Sequence, residues 1–215
     1  MSEIITVTMD EFEAEVRHLM EEDSLTFVRA VWAVMDDLTD ATLRSQEGGN
    51  PLACRSGCSF CCYQPVTATA IEWEEIKRYF RSLPRLERRE ILARARPWVI
   101  AWRKYHEEKA PHAPRRSSPA ADQIRLHLDW RGKPCPFLSK QGACSIYPVR
   151  PMDCRTMTST VTCTIWDGQE GIKRFRFPWE LWGNQMVLEE QERKGGRMEV
   201  TPLLHWLHLL DAEKK

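Results

Sequence analysis

From residue 9 to residue 43 the apolar positions return every three or four residues: Phe12, Val16 and Leu19, then Phe27, Val28, Val31, Val34, Met35 and Leu38. That spacing lays one stripe along an α-helix, because 3.6 residues complete a turn. It predicts two helices, the first capped at Thr8 and the second starting near Ser24. The run Glu47-Gly48-Gly49-Asn50-Pro51 ends the second with helix-breaking residues. The helical period resumes over 69–81, with Ile71, Ile76, Tyr79 and Phe80 as buried positions. Pro84 opens a further helix to about residue 108, with a break or kink expected at Pro97, which has no N–H to donate. After Phe177 two more helices follow, Pro178–Arg193 and Pro202–Glu213, separated by Gly195-Gly196.

Between these patterned stretches the character changes. Residues 109–121 (KAPHAPRRSSPAA) read as a linker or exposed loop. Over 122–167 no long helical period survives, and Phe137–Tyr147 predicts a short hairpin around Gly142. The expected fold is one mainly α domain over 1–215. Its helices pack around an irregular cysteine-rich centre with at most a short β-hairpin. In order it has N-terminal helices (1–50), a first cysteine motif (51–66), a helical insertion (69–108), the linker (109–121), a second cysteine-rich segment (122–167) and C-terminal helices (177–215).

Composition narrows the function. Thirty-one basic residues balance 31 acidic ones among 215, so no global field draws the chain to nucleic acid or anionic membrane. No apolar run approaches the ~20 residues of a membrane span. The acidic N-terminus lacks the apolar stretch of a secretory signal, so the expected compartment is the cytoplasm, where structural disulfides are uncommon. Eight cysteines there point first to metal ligands or catalytic groups.

Four of them crowd into C-R-S-G-C-S-F-C-C as Cys54, Cys58, Cys61 and Cys62; the others, Cys135, Cys144, Cys154 and Cys163, are spread over the second segment. Thiolates with two or three residues between them allow one chain segment to wrap an ion. The doubled Cys61-Cys62 over-supplies a tetrahedral ion, since adjacent side chains point in different directions. That favours a polynuclear centre or two neighbouring sites. Cys163, in a Thr-rich stretch that reads as a strand, is the weakest member. Arg55, Arg150 and Arg155 are placed to offset thiolate charge, Arg155 foremost because it follows Cys154.

The first motif, followed by CPFLSKQGACSIYPVRPMDCR at Cys135–Arg155, resembles the YkgJ-type family of zinc- or iron-chelating proteins, often described as iron–sulfur-cluster-containing and named for a CxxxCxxCC motif. The resemblance covers Cys54–Val66 and Pro134–Arg155. It implies metal or cluster binding by Cys54, Cys58, Cys61, Cys62, Cys135, Cys144 and Cys154. The expected cofactor is an iron–sulfur cluster, first of all 4Fe-4S, or iron. A structural zinc is the alternative, and a thiol–disulfide enzyme using Cys58 and Cys61 is a third reading. A protein partner is compatible with a redox or modifying role.

Other motifs are missing. No histidine pair has zinc-ligand spacing, and no phosphate-binding glycine loop or nucleophile elbow occurs. Acidic pairs such as Glu74-Glu75 and Glu189-Glu190 read as solvated helix faces. Tryptophans at 98, 102, 179 and 182 fall at one-turn spacings and read as core.

Overall fold

A computed structural model describes residues 6–45, 52–54, 57–109, 132–164, 177–196 and 200–212. The expected linker beyond Lys109 and Arg55 lie outside the described residues. Helix α1 (Met9–Glu22) starts on a reciprocal cap: the Thr8 hydroxyl accepts from the Glu11 N–H at 3.3 Å, and Glu11 accepts from the Thr8 N–H at 2.8 Å. Helix α2 spans Phe27–Ser45. It starts after Ser24 rather than at it, because Ser24 adopts φ +52° in the intervening turn, a left-handed conformation a helix does not admit.

Helix α3 (Ala70–Ser82) repeats the device, with Thr69 and Glu72 as its capping box. Helix α4 (Arg85–Lys109) runs through Pro97 without the expected break. Pro97 and Ala93, whose carbonyl loses its partner, are both exposed, so that oxygen is not sealed in the core. The opposite face of α4 buries Ile91, Ala95, Val99 and Trp102 without interruption. A one-turn helix, α5 (Met152–Arg155), carries Cys154; α6 (Pro178–Arg193) and α7 (Leu203–Ala212) follow. Among the described residues no helix is long and apolar enough to cross a membrane.

The helices assemble by their apolar stripes. α1 packs on α2, α2 on α6 and α3, and α4 on α7. Phe12, Val16, Val31, Trp32, Ile76 and Val187 are at most 2% exposed in one shared core. Gly183 lets α6 approach α2 closely: a Cβ there would lie 2.5 Å from the Met35 sulfur and 3.1 Å from Met152. Trp102 and Trp179 are buried, and Trp98 and Trp182 pack partly buried beside them.

Strand structure is slight. Leu138 and Cys144 form a single antiparallel bridge, the expected hairpin. A second pairing was not anticipated: β1 (Thr67–Ala68) lies antiparallel to β2 (Thr201–Pro202), Thr67 opposite Pro202. The stretch 156–164 is irregular, not a strand. There the Ser159 hydroxyl accepts the Val161 N–H at 3.2 Å, a local bond that replaces a ladder partner. The fold is thus mainly helical with a small two-stranded sheet, and the cysteine segments lie against its core.

Candidate metal centre

The two cysteine blocks meet through their backbones. Cys61 and Cys62 sit on a 3₁₀ turn, Phe60–Tyr63, closed by Cys62 N–H donating to Ser59 O at 3.0 Å and Gln64 N–H to Cys61 O at 3.1 Å. The Cys135 N–H donates to Cys62 O at 2.7 Å, and Gly132 N–H to Tyr63 O at 2.8 Å. Residues 62 and 135, distant in sequence, are therefore locked side by side. The hairpin then returns the chain, with Ser139 N–H on Ala143 O at 2.8 Å and Ser145 N–H on Phe137 O at 2.9 Å, and this brings Cys144 back. A second 3₁₀ turn, Tyr147–Val149, has Pro148 near its start, and Pro151 directly precedes α5. Phe137, Ile146, Val149 and Met152, between the cysteines, are at most 3% exposed and plug into the helical core.

Cys54 arrives separately. Ala53 N–H donates to Ser159 O at 2.8 Å, and Ser159 N–H points at the Cys54 sulfur at 3.3 Å. This pairing draws Cys54 toward Cys163. All eight cysteines are free thiols; Cys58 is exposed and the other seven are partly buried. Two zones result. Cys62, Cys135, Cys144 and Cys154 form an inner zone in which each would feel the charge of others; Cys54, Cys58 and Cys163 form an outer zone; Cys61 faces both.

The electrostatics follow from that crowding. Burial pushes the Cys135 thiol up to about 12, with repulsion from Cys144 and Cys61 adding to it. Burial likewise raises Cys154, Cys144 and Cys54. Cys61 goes the other way, down to about 7, chiefly because Cys62 hydrogen-bonds to its sulfur, with Arg150 assisting; Cys62, the donor, is raised. Protonated thiols need not converge on one point. Among the described residues no three Cys, His, Asp or Glu side chains are drawn up in ion-holding geometry.

The donor set nevertheless fits a thiophilic metal. Bringing several thiolates together in this low-dielectric setting requires positive charge, which an ion or cluster supplies. The structure also holds a donor aimed at nothing: Arg150 Nε is buried without a hydrogen-bond partner. Arg150 acts electrostatically on both Cys61 and Cys144. Its guanidinium lies 4.4 Å over the ring of Tyr147, which is exposed.

Arg155 is differently engaged. Its side chain is 4% exposed and pairs with Asp36 on α2. It also donates to Arg150 O at 2.9 Å and Pro148 O at 3.1 Å, and stacks 4.7 Å over Trp32. Its hydrogen bonds thus bind the Pro148–Arg155 segment to α2, while its charge still reaches Cys154.

Three supports were not evident from the sequence. Asp36 is one. Asp153 is another, accepting from Thr67 N–H at 2.9 Å and so joining α5 to β1. The third is Glu72, 2% exposed, which accepts the Met152 N–H at 2.7 Å while capping α3. The Thr69-x-x-Glu72 spacing before an apolar run signalled the cap, but nothing local signalled the bond to Met152.

No curated protein and no solved structure matches the chain. The CxxCxxCC family model, described as a putative zinc- or iron-chelating domain, matches residues 53–177, more than half of the length and the whole span from Cys54 to Cys163. The chain therefore belongs to the CxxCxxCC family of putative zinc- or iron-chelating domains.

Proposed function

We propose that this is a cytoplasmic metal-binding protein whose cysteines hold an iron–sulfur cluster, or another polynuclear metal centre, serving a redox reaction or the modification of a protein partner. The observation that carries this reading is the excess of gathered thiols. Cys61 and Cys62 share one turn bonded to Cys135, the hairpin returns Cys144 and α5 carries Cys154, five thiols where a closed tetrahedral ion accepts four; Cys54, Cys58 and Cys163 add three more. A cluster takes up such a surplus, supplying one-electron chemistry when bound. Arg150 is the cation placed to steady the ionised thiols, with Arg155 fixing the segment it stands on; Arg55 is proposed to add charge from between Cys54 and Cys58.

The test is anaerobic purification followed by iron, zinc and acid-labile sulfide determination with an absorption spectrum. Iron with stoichiometric sulfide and visible absorption is expected. Zinc alone, colourless and without sulfide, overturns the cluster and leaves a structural zinc module.

A further inference from the structure

Cys154 rides on a helix of only four residues, Met152–Arg155, too short to define its own orientation. Its surroundings must define it. Met152 packs into the core, but on one flank lies a cleft of about 500 Å³, lined among others by Thr67, Glu72, Asp153 and Thr156. What crosses it are two carboxylates, and Glu72 is the deeper one. Its Oε2 accepts the Thr69 N–H at 2.8 Å and the Thr69 hydroxyl at 2.9 Å, and its Oε1 accepts the Met152 N–H at 2.7 Å. Both oxygens are used, one for each helix. Only a carboxylate provides two acceptors here; an amide offers one acceptor and turns an N–H toward the other helix.

From this geometry we infer that Glu72 is a positioning residue for Cys154: by capping α3 and α5 with one carboxylate it sets the angle at which the Cys154 sulfur faces the other inner thiols. The inference rests on the proposal that Cys154 belongs to the metal centre. It also changes the standing of the segment between the two cysteine blocks. The segment that reads as an insertion carries the arm that orients a thiol of the second block.

The experiment compares Glu72→Gln, Thr69→Ala and Cys154→Ser with the unaltered chain. The metal-free proteins are pulsed with iodoacetamide and alkylation is quantified at each cysteine by peptide mass; a parallel titration with Co²⁺ follows the thiolate-to-cobalt charge-transfer band. Thr69→Ala weakens the α3 cap but keeps the Met152 bond, so it controls for loss of stability. Leaving the buried Met152 N–H without its acceptor corresponds to about tenfold, so Glu72→Gln should speed Cys154 alkylation by about that factor. Cys144 should change little, and Thr69→Ala should leave Cys154 near its original rate. The Glu72→Gln cobalt band should fall toward that of Cys154→Ser.

Equal acceleration at Cys154 in Glu72→Gln and Thr69→Ala, or uniform acceleration at every thiol, overturns the inference. If Cys154→Ser leaves the cobalt band unchanged, the assignment of Cys154 to the metal centre fails, and the alkylation ratio still decides the positioning role. Should Glu72→Gln not accumulate folded, Glu72→Asp is read in the same way: it keeps the carboxylate but is one methylene too short to reach both helices.

Discussion

In the helical body, Phe12, Val31 and Ile76 are fully shielded, and the backbone meets its own hydrogen-bonding needs through α1, α2, α3 and α6. In the thiol centre the chain passes through two 3₁₀ turns, one bridge and one helical turn, and the groups drawn inward are ionisable sulfurs. The body gains free energy from apolar burial whatever is bound. The centre holds groups that repel one another once deprotonated, so its contribution changes sign with the presence of positive charge. Stability and metal content should therefore come apart: variants in the body shift both metal-free and metal-loaded proteins alike, and variants in the centre shift the difference between them.

The strongest test of that separation is Phe12→Ala. Phe12, on α1, is fully buried, with the ring of Trp182 on α6 lying 6.0 Å away. Its truncation should cost about 4 kcal/mol. Denaturant titration with and without metal should show the same loss in both. A larger loss in the loaded protein would mean that the body and the centre are one cooperative unit.

Next in size is Asp36→Ala, which strips the partner from buried Arg155. Breaking a buried pair costs about 3–5 kcal/mol, but Asp36 is nearly half exposed, so about 2 kcal/mol is expected. Because Arg155 binds the Pro148–Arg155 segment to α2, this variant should also weaken metal retention against a competing chelator. Unchanged retention would place the clamp in the body.

Alkaline pH separates the regions by sign. Cys54, Cys62, Cys135, Cys144 and Cys154 have folded pKa values above that of an unfolded thiol, so the metal-free fold binds more protons than the unfolded chain above about pH 9. Their stabilisation is complete below pH 9 and is lost as pH rises toward 12, by up to about 1.4 kcal/mol per unit for each thiol. Cys61, lowered to about 7, acts oppositely between pH 7 and 9. Metal affinity, by contrast, should rise with pH and binding should release protons, because the ligands must be thiolates. Urea midpoints of the metal-free chain that stay flat from pH 9 to 11 would contradict the burial of these thiols.

The two regions also differed in how far they could be read from sequence. Helices α1 and α3 were legible because their apolar stripes are local, and for α1 the cap at Thr8 as well; the Thr69–Glu72 cap of α3 is an equally local signal that the stripe alone did not use. Pro97 misled because its position on the exposed face decides its cost, and the sequence rule does not weigh faces. Glu75 and Glu190 looked like solvated acids yet are mostly buried, paired with Arg78 and Arg193 one turn on at 2.9 and 2.6 Å. The thiols were legible as a set through their spacing. Their neighbours were not, since Cys62 with Cys135, Arg155 with Asp36 and Met152 with Glu72 are each fixed only by the folded path of the chain. Strands of two residues, such as β1 and β2, carry no period to detect.

The smallest expected effect gives the cleanest contrast. Gly142, in the hairpin turn before Cys144, has φ +78°, and Gly195, just past α6, has φ +81°. A Cβ would meet nothing closer than 3.9 Å at Gly142 and nothing within 4 Å at Gly195. Alanine at either position therefore pays only the left-handed backbone cost, about 1 kcal/mol. Matched local strain then reports two different places. Gly195→Ala should lower the stability of metal-free and metal-loaded protein equally. Gly142→Ala disturbs the turn that returns Cys144 toward Cys135, where Gly142 N–H donates to Ser139 O at 3.1 Å. It should leave metal-free stability lowered by the same amount but weaken metal affinity by a further few-fold, since the metal must now hold the strained turn closed. Identical metal affinities for the two variants would show that the hairpin is held by Phe137 and Leu138 in the apolar core rather than by the thiols it presents.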